Sequence, residues 1–160
     1  MSMDLVNIFV RLMADGALLP IVVIGVWLLL FKVKKSDKFA AYSRILMAGL
    51  TAYLVAKYMS AVYHPAAERP FELMGVAAGA AYLPNPGFPS DHALFSTAIL
   101  YAVWFETRSK LWTRVLIVLV LMVCVGRVLA LVHTPLDVIG GVVAASVGAL
   151  WYLTPRLKKA

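Results

Sequence analysis

Apolar residues dominate the chain and form stretches long enough to cross a membrane. A helix needs about 20 residues to span a hydrocarbon core of about 30 Å. Five stretches approach that length, near residues 17–32, 45–63, 91–106, 115–132 and 137–153. Between the second and the third, residues 64–90 are rich in proline and glycine, which predicts an irregular loop. We therefore predict an all-α integral membrane protein, a bundle of about five transmembrane helices forming one domain over residues 1–160.

Residues 1–16 follow a different pattern. Apolar side chains recur there at helical spacing among polar ones, at Leu5, Ile8, Phe9 and Leu12. Asp4, Arg11 and Asp15 belong to the polar set. This pattern predicts an amphipathic interfacial helix that precedes the first span.

Composition supports a membrane protein. Hydrophobic residues make up 62% of the chain and charged residues only 14%, far from the balance of a soluble domain. The single cysteine excludes a disulfide framework and a multi-cysteine metal site. A net charge of +7 would suggest binding of nucleic acid in a soluble protein. In a membrane protein, an excess of basic residues on the cytoplasmic side explains this charge, so we predict no nucleic-acid partner.

Basic residues separate by side of the predicted membrane. Most of the 15 lysines and arginines fall in the segments after the first, third and fifth spans. These are Lys32, Lys34, Lys35, Lys38, Arg44, Arg108, Lys110, Arg114, Arg156, Lys158 and Lys159. The positive-inside rule makes that side cytoplasmic, and with it the C-terminus. We expect a multi-pass plasma (inner) membrane protein whose histidines, His64, His92 and His133, all lie on the periplasmic or extracellular face.

Arg127 lies near the outer end of an apolar span, where placing a charge costs free energy. A charge at such a depth usually marks function. His133 and Asp137 follow at short intervals, so the imidazole and the guanidinium can face one pocket, with the carboxylate close enough to orient the ring. Thr134 and Asp137 also predict a capping box at the start of the fifth span.

Ser90 predicts a second helix start on the same face. A serine before Asp91 and His92 suits an N-cap, and the free N–H groups of the first turn attract an anion. The two segments together predict a site for a phosphate group.

These residues resemble the type 2 phosphatidic acid phosphatase family of membrane phosphatases. The family's third motif, Ser-Arg, five residues, His, three residues, Asp, is similar to Gly126-Arg127…His133…Asp137, with glycine in place of serine. Its second motif, Pro-Ser-Gly-His, is similar to Pro89-Ser90-Asp91-His92, with aspartate in place of glycine.

The family's first motif, Lys, six residues, Arg-Pro, is where the sequence departs. The spacing from Lys57 leads to His64-Pro65, whereas the Arg-Pro pair is Arg69-Pro70, five positions later. Either His64 replaces the arginine or an insertion lets Arg69 return to the phosphate. We favour Arg69, because a guanidinium binds phosphate through two parallel hydrogen bonds.

The resemblance implies a mechanism. His133 would attack phosphorus and form a phosphohistidine, with Asp137 fixing its tautomer, and His92 would protonate the leaving oxygen and later activate water. Phosphate-binding residues would be Lys57, Arg69, Arg127, Ser90 and Asp91. The scheme needs no metal and no cofactor, and a zinc site would be disfavoured by the neighbouring cations.

The substrate implied is a phosphate or diphosphate on a membrane lipid. The Ser90-Asp91-His92 form resembles the bacterial undecaprenyl-diphosphate phosphatase branch, which favours undecaprenyl diphosphate. Phosphatidylglycerophosphate, phosphatidate and lipid A 1-phosphate stay open, as does a lipid phosphotransferase. A non-enzymatic alternative is an anionic-lipid-binding or transport protein. The sequence does not fix the oligomeric state.

Overall fold

The computed structural model describes residues 3–63, 69–85 and 87–153. Within these ranges the secondary structure is helical, with no strand. The α-helices are α1 (Met3–Arg11), α2 (Leu18–Lys32), α3 (Lys38–Val62), α4 (Pro70–Leu73), α5 (Asp91–Thr107), α6 (Lys110–Leu129) and α7 (Pro135–Gly148). A π-helical turn, Leu12–Gly16, joins α1 to α2, and 3-10 turns cover Lys35–Asp37 and Ala149–Leu153.

In the described residues, four helical stretches are long and apolar enough to cross a membrane. They are Asp4–Lys32, Lys35–Val62, Lys110–Leu129 and Pro135–Leu153. Many of their large apolar side chains are exposed, as expected for a surface solvated by lipid, for example Leu19, Leu54 and Leu121. The predicted all-α membrane fold is confirmed.

The N-terminal segment differs from the predicted arrangement. Residues from Asp4 onward form a helix, but no break separates it from the first span, so the predicted interfacial helix and the span become one stretch of 29 residues. The helix continues through the π turn at Leu12–Gly16, whose backbone packs directly against α6 at Gly126. The sequence pattern could not show this packing.

Helix α5 forms the centre of the bundle and corresponds to the predicted third span. At 17 residues it is about 26 Å long, and it packs against α2, α3, α6 and α7. At two glycines, α7 approaches the residues at the start of α5 so closely that no side chain would fit. A side chain at Gly141 would lie 2.5 Å from the carbonyl oxygen of Ser90, and one at Gly140 would lie 2.7 Å from the ring of Phe88. Helix α7 therefore packs closely against the start of α5.

A bidentate ion pair holds the other end of the bundle. Arg44 of α3 donates through Nε and Nη2 to the two carboxylate oxygens of Glu106 in α5, at 2.7 Å each. The Glu106 side chain is only 3% exposed. This pair fixes α3 against α5 at the end opposite the histidines.

Candidate active site

The predicted site residues converge at one end of the bundle. Helices α5 and α6 are joined by a short turn, and so are α6 and α7, so α5 and α7 both begin where α6 ends. His92 lies in the first turn of α5, Arg127 in the last turn of α6, and His133 just before α7. Together with Arg69 and Asp91 they line one cavity of about 280 Å³, hereafter the polar cavity.

Backbone contacts join the segments that carry the second and third motifs. The N–H of Ser90 donates to the carbonyl oxygen of Asp137 across 2.8 Å. Because this bond connects the residue before α5 to the first turn of α7, His92 and His133 are held in fixed relation to each other.

Asp137 is fixed by the predicted capping box. Its backbone N–H donates to Thr134 Oγ1 at 3.2 Å, and its Oδ2 accepts from the Thr134 N–H at 2.7 Å. The same Oδ2 lies 3.6 Å from Nδ1 of His133. That distance is longer than a hydrogen bond, and Nδ1 finds no other partner among the described residues. Because the Asp137 carboxylate lies beside Nδ1, Nε2 is the ring nitrogen away from the carboxylate.

His133 is held in its neutral form. Burial lowers the pKa of the imidazole below its ordinary value, and the positive charges of Arg127 and Arg69 act in the same direction. The Asp137 carboxylate opposes them without reversing the effect. A neutral imidazole keeps the lone pair that a nucleophile or base requires.

Arg127 is almost completely buried, at 1% exposure. Its Nη1 donates to Oδ1 of Asp15 at 2.8 Å, which gives the buried charge a counterion. Its Nε has no hydrogen-bond partner within the part of the chain that the structure describes. A buried donor in that state is costly, and it suits an anion held in the polar cavity.

Arg69 comes from the segment between α3 and α5. Its guanidinium donates to the carbonyl oxygen of Val132, to the carbonyl oxygen of Leu83 at 2.9 Å and to Oδ1 of Asn85 at 2.7 Å. Burial lowers its pKa, with Asp137 and Glu72 acting in the opposite direction. Arg69 therefore ties the segment at residues 83–85 to the turn before α7 while lining the cavity.

The other predicted residues lie at different distances from the polar cavity. Lys57 is exposed on α3 and lines a smaller cavity of about 120 Å³. Four residues line both this cavity and the polar cavity: Asn85, Gly87, Pro89 and Asp91. Ser90 is fully buried and does not line either cavity; its hydroxyl neither caps α5 nor finds a partner among the described residues. His64 lies outside the described residues, so the choice between His64 and Arg69 in the first motif stays a prediction.

Sequence reasoning did not assign two residues that the structure brings to the site. The sequence predicts Asp15 only as part of the polar face of an interfacial helix, and it assigns no role to Asn85. One signal for Asp15 was present, because a buried arginine in an apolar span needs a nearby acid. The bond from Arg69 to Asn85 had no sequence signal.

Comparison with known proteins agrees with this geometry. The sequence pattern of the PAP2 superfamily matches residues 38–159. A protein of Escherichia coli (strain K12) named "Putative undecaprenyl-diphosphatase YbjG" is 38% identical over 69 residues, which is 41% of this chain and 33% of that protein. The alignment thus spans about a third of the relative's length. No solved structure matches significantly. With most of its length matched, and with the two histidines, the arginine and the aspartate of the motifs gathered at one end of the bundle, the chain belongs to the PAP2 superfamily.

Proposed function

We propose that the protein hydrolyses undecaprenyl diphosphate to undecaprenyl phosphate at the outer face of the plasma membrane, through a phosphohistidine and without a metal ion. Membership in the PAP2 superfamily makes it a membrane phosphatase that acts on phosphoric esters. The observation that carries the finer proposal is the placement of His92, His133 and Arg127 around one cavity.

The first step is attack on the terminal phosphorus. Nε2 of His133 forms a P–N bond as the bond from phosphorus to the bridging oxygen breaks, and His92 gives a proton to that oxygen. Asp137, placed beside Nδ1, stabilises the positive charge that develops on the ring. The undecaprenyl phosphate leaves with the bridging oxygen.

The second step returns the enzyme to its starting state. His92, now neutral, takes a proton from a water molecule, whose oxygen attacks phosphorus and breaks the P–N bond. Inorganic phosphate departs and His133 is again neutral. One histidine suits both proton transfers because the proton that it gives to the leaving oxygen in the first step is replaced by the proton that it takes from water in the second.

Positive charge around the cavity supports the binding of a phosphoryl group. Arg127 offers its unpartnered Nε, Arg69 lines the same cavity, and the first turn of α5 contributes free backbone N–H groups. The adjoining cavity that contains Lys57 offers a second basic position, which suits a substrate with two phosphates. These groups offset charge as it builds in the transition state.

The choice of lipid rests on two likenesses. The Asp91 form of the second motif resembles the undecaprenyl-diphosphate phosphatase branch, and the relative from Escherichia coli has that activity in its name. The proposed outer location rests on the distribution of lysine and arginine, because the basic segments at residues 32–44 and 108–114 lie at the end of the bundle opposite the polar cavity.

The test is phosphate release by the purified protein in detergent with EDTA present. We expect release from undecaprenyl diphosphate by the wild type and none above background by His133→Ala. The substrate arm compares undecaprenyl diphosphate, phosphatidylglycerophosphate, phosphatidate and lipid A 1-phosphate at equal surface concentration. Equal rates would replace the proposed substrate with a broad lipid phosphatase. Complete loss with EDTA would reject the metal-free mechanism, and no release from any lipid would favour a lipid-binding or transport protein.

A further inference from the structure

A carboxylate from the N-terminal helix lies beside residues that line the polar cavity. Oδ1 of Asp15 accepts from Nη1 of Arg127 at 2.8 Å and lies 3.9 Å from Nε2 of His92. Oδ2 accepts the backbone N–H of Ala81 at 2.9 Å. One side chain thus contacts α6, approaches α5 and holds the segment between α3 and α5.

The π-helical turn and a glycine bring Asp15 to this position. A π turn inserts an extra residue into a helix and changes the direction of the side chains around it. At Gly126, a side-chain carbon would lie 2.5 Å from the backbone nitrogen of Ala14 and 2.7 Å from the carbonyl carbon of Met13. Only glycine allows this approach, so the residue next to Arg127 creates the space for the turn that carries its counterion.

The contact leaves one edge of Arg127 available. Asp15 engages Nη1, whereas Nε is buried and finds no partner among the described residues. Guanidinium groups bind phosphate through two N–H groups of one edge, so their orientation determines the strength of binding. An arginine anchored at Nη1 presents its Nε edge in a fixed direction.

We propose that Asp15 is a positioning residue of this phosphatase: it aims the Nε edge of Arg127 at the phosphoryl group and balances the arginine's charge while the cavity is empty. The proposal rests on the function proposed above. It assigns Asp15 no contact with the substrate. The N-terminal helix, which lies before the segment matched by the family pattern, thereby becomes part of the active site.

Three variants of the full chain test the proposal. Asp15→Ala removes both the acceptor and the charge. Asp15→Asn removes the charge but keeps an oxygen that can accept from Arg127 Nη1. Asp4→Asn is the matched control, because Asp4 is an exposed acid on the same continuous helix. Each is purified in detergent, its folded fraction is measured by size-exclusion chromatography, and kcat and KM with undecaprenyl diphosphate are expressed per folded protein.

Turnover separates a positioning role from a structural one. We expect kcat of Asp15→Ala to fall about 10- to 100-fold, because a displaced catalytic cation costs that much. Asp15→Asn should recover most of this loss, and Asp4→Asn should match the wild type. A kcat in Asp15→Ala equal to that of Asp4→Asn, or Asp15→Asn as impaired as Asp15→Ala, would overturn the proposal.

Binding of inorganic phosphate supplies a measurement that does not need turnover. Asp15→Asn should bind phosphate several-fold more tightly than the wild type, because a negative charge has been removed beside the anion site. Unchanged affinity would overturn the role of Asp15 as counterion. A wild type that binds phosphate but releases none from any lipid would reject the proposed function. The phosphate affinities of the variants would still test the role of Asp15 as counterion.

Discussion

The backbone N–H of Ser90 donates to the backbone carbonyl oxygen of Asp137 across 2.8 Å. This bond joins the start of α5 to the start of α7, and with them the two motif segments that carry the histidines. Gly141 makes the joint tight, because its backbone lies where a side chain would meet the carbonyl oxygen of Ser90. The distance between the two histidines is therefore a property of helix packing.

Gly141→Ala tests this joint. A methyl group would lie 2.5 Å from the carbonyl oxygen of Ser90 and 2.9 Å from the nitrogen of Leu94, so α5 and α7 must separate. Overpacking of this kind costs about 1–3 kcal/mol of stability, and kcat should fall about tenfold or more because the catalytic groups shift. Thermal unfolding and phosphate release measure the two effects.

Gly49→Ala is the matched control, since a methyl group there meets nothing within 4 Å. It should leave both Tm and kcat unchanged. Full activity in Gly141→Ala would contradict the close contact between α5 and α7 at this position.

Gly126→Ser would insert the residue that the related motif carries at this position. In this chain the change should be harmful, because the side chain would collide with the backbone of Met13 and Ala14 and displace the π turn. Activity should fall about tenfold through loss of the contact between Asp15 and Arg127. If Gly126→Ser is as active as the wild type in phosphate release, the N-terminal turn does not depend on this glycine.

Arg69 and Asn85 should act as one unit. The guanidinium donates to Asn85 Oδ1 at 2.7 Å as well as to three backbone carbonyl oxygens, so each single substitution loosens the same segment. In a double-mutant cycle of Arg69→Ala and Asn85→Ala, we expect a coupling of about 0.5–3 kcal/mol in kcat/KM. Additive effects would show that Arg69 acts on the phosphate independently of Asn85.

The pH dependence of kcat/KM should reflect the buried environment of His133. Its attack requires the neutral imidazole, and burial lowers the pKa of this group. Activity should therefore persist as the pH falls below the ordinary histidine pKa of about 6.5, and be lost only at the lowered value.

Asp137→Asn sharpens that measurement. The carboxylate raises the pKa of His133, so its removal should move the acid limb to still lower pH while the rate falls. Ionisation of the substrate is the same for both proteins and cancels in the comparison. An acid limb that moves to higher pH would contradict the assignment of the limb to His133.

Spacing and charge predicted which motif residues lie together, but not the residues that hold them in position. Arg127, His133 and Asp137 lie within one short stretch, and the even number of spans between His92 and that stretch placed them on one side. The contact between Asp15 and Arg127 joins residues 112 positions apart. It depends on a π turn whose backbone packs against Gly126, a tertiary contact that propensity and periodicity could not reveal. The hydrogen bonds of Arg69 go to backbone carbonyls, which leave no pattern in a sequence.

The all-helical fold was predictable because lipid imposes it, although four helices of the described residues, not five, are long and apolar enough to cross a membrane. In a hydrocarbon core the backbone must satisfy its own hydrogen bonds, so long apolar stretches become helices. The segment between α3 and α5 was harder: only Pro70–Leu73 is helical there in the described residues, and its position depends on Arg69.

Trapping of the covalent intermediate tests whether His133 is the nucleophile. The protein is mixed with undecaprenyl diphosphate labelled with ³²P at the terminal phosphate, quenched in alkali within milliseconds, digested and mapped. Alkali is chosen because phosphohistidine is labile in acid. We expect label on the peptide that contains His133, and none in His133→Ala. Label on a different residue, or label and phosphate release at wild-type levels in His133→Ala, would contradict this expectation.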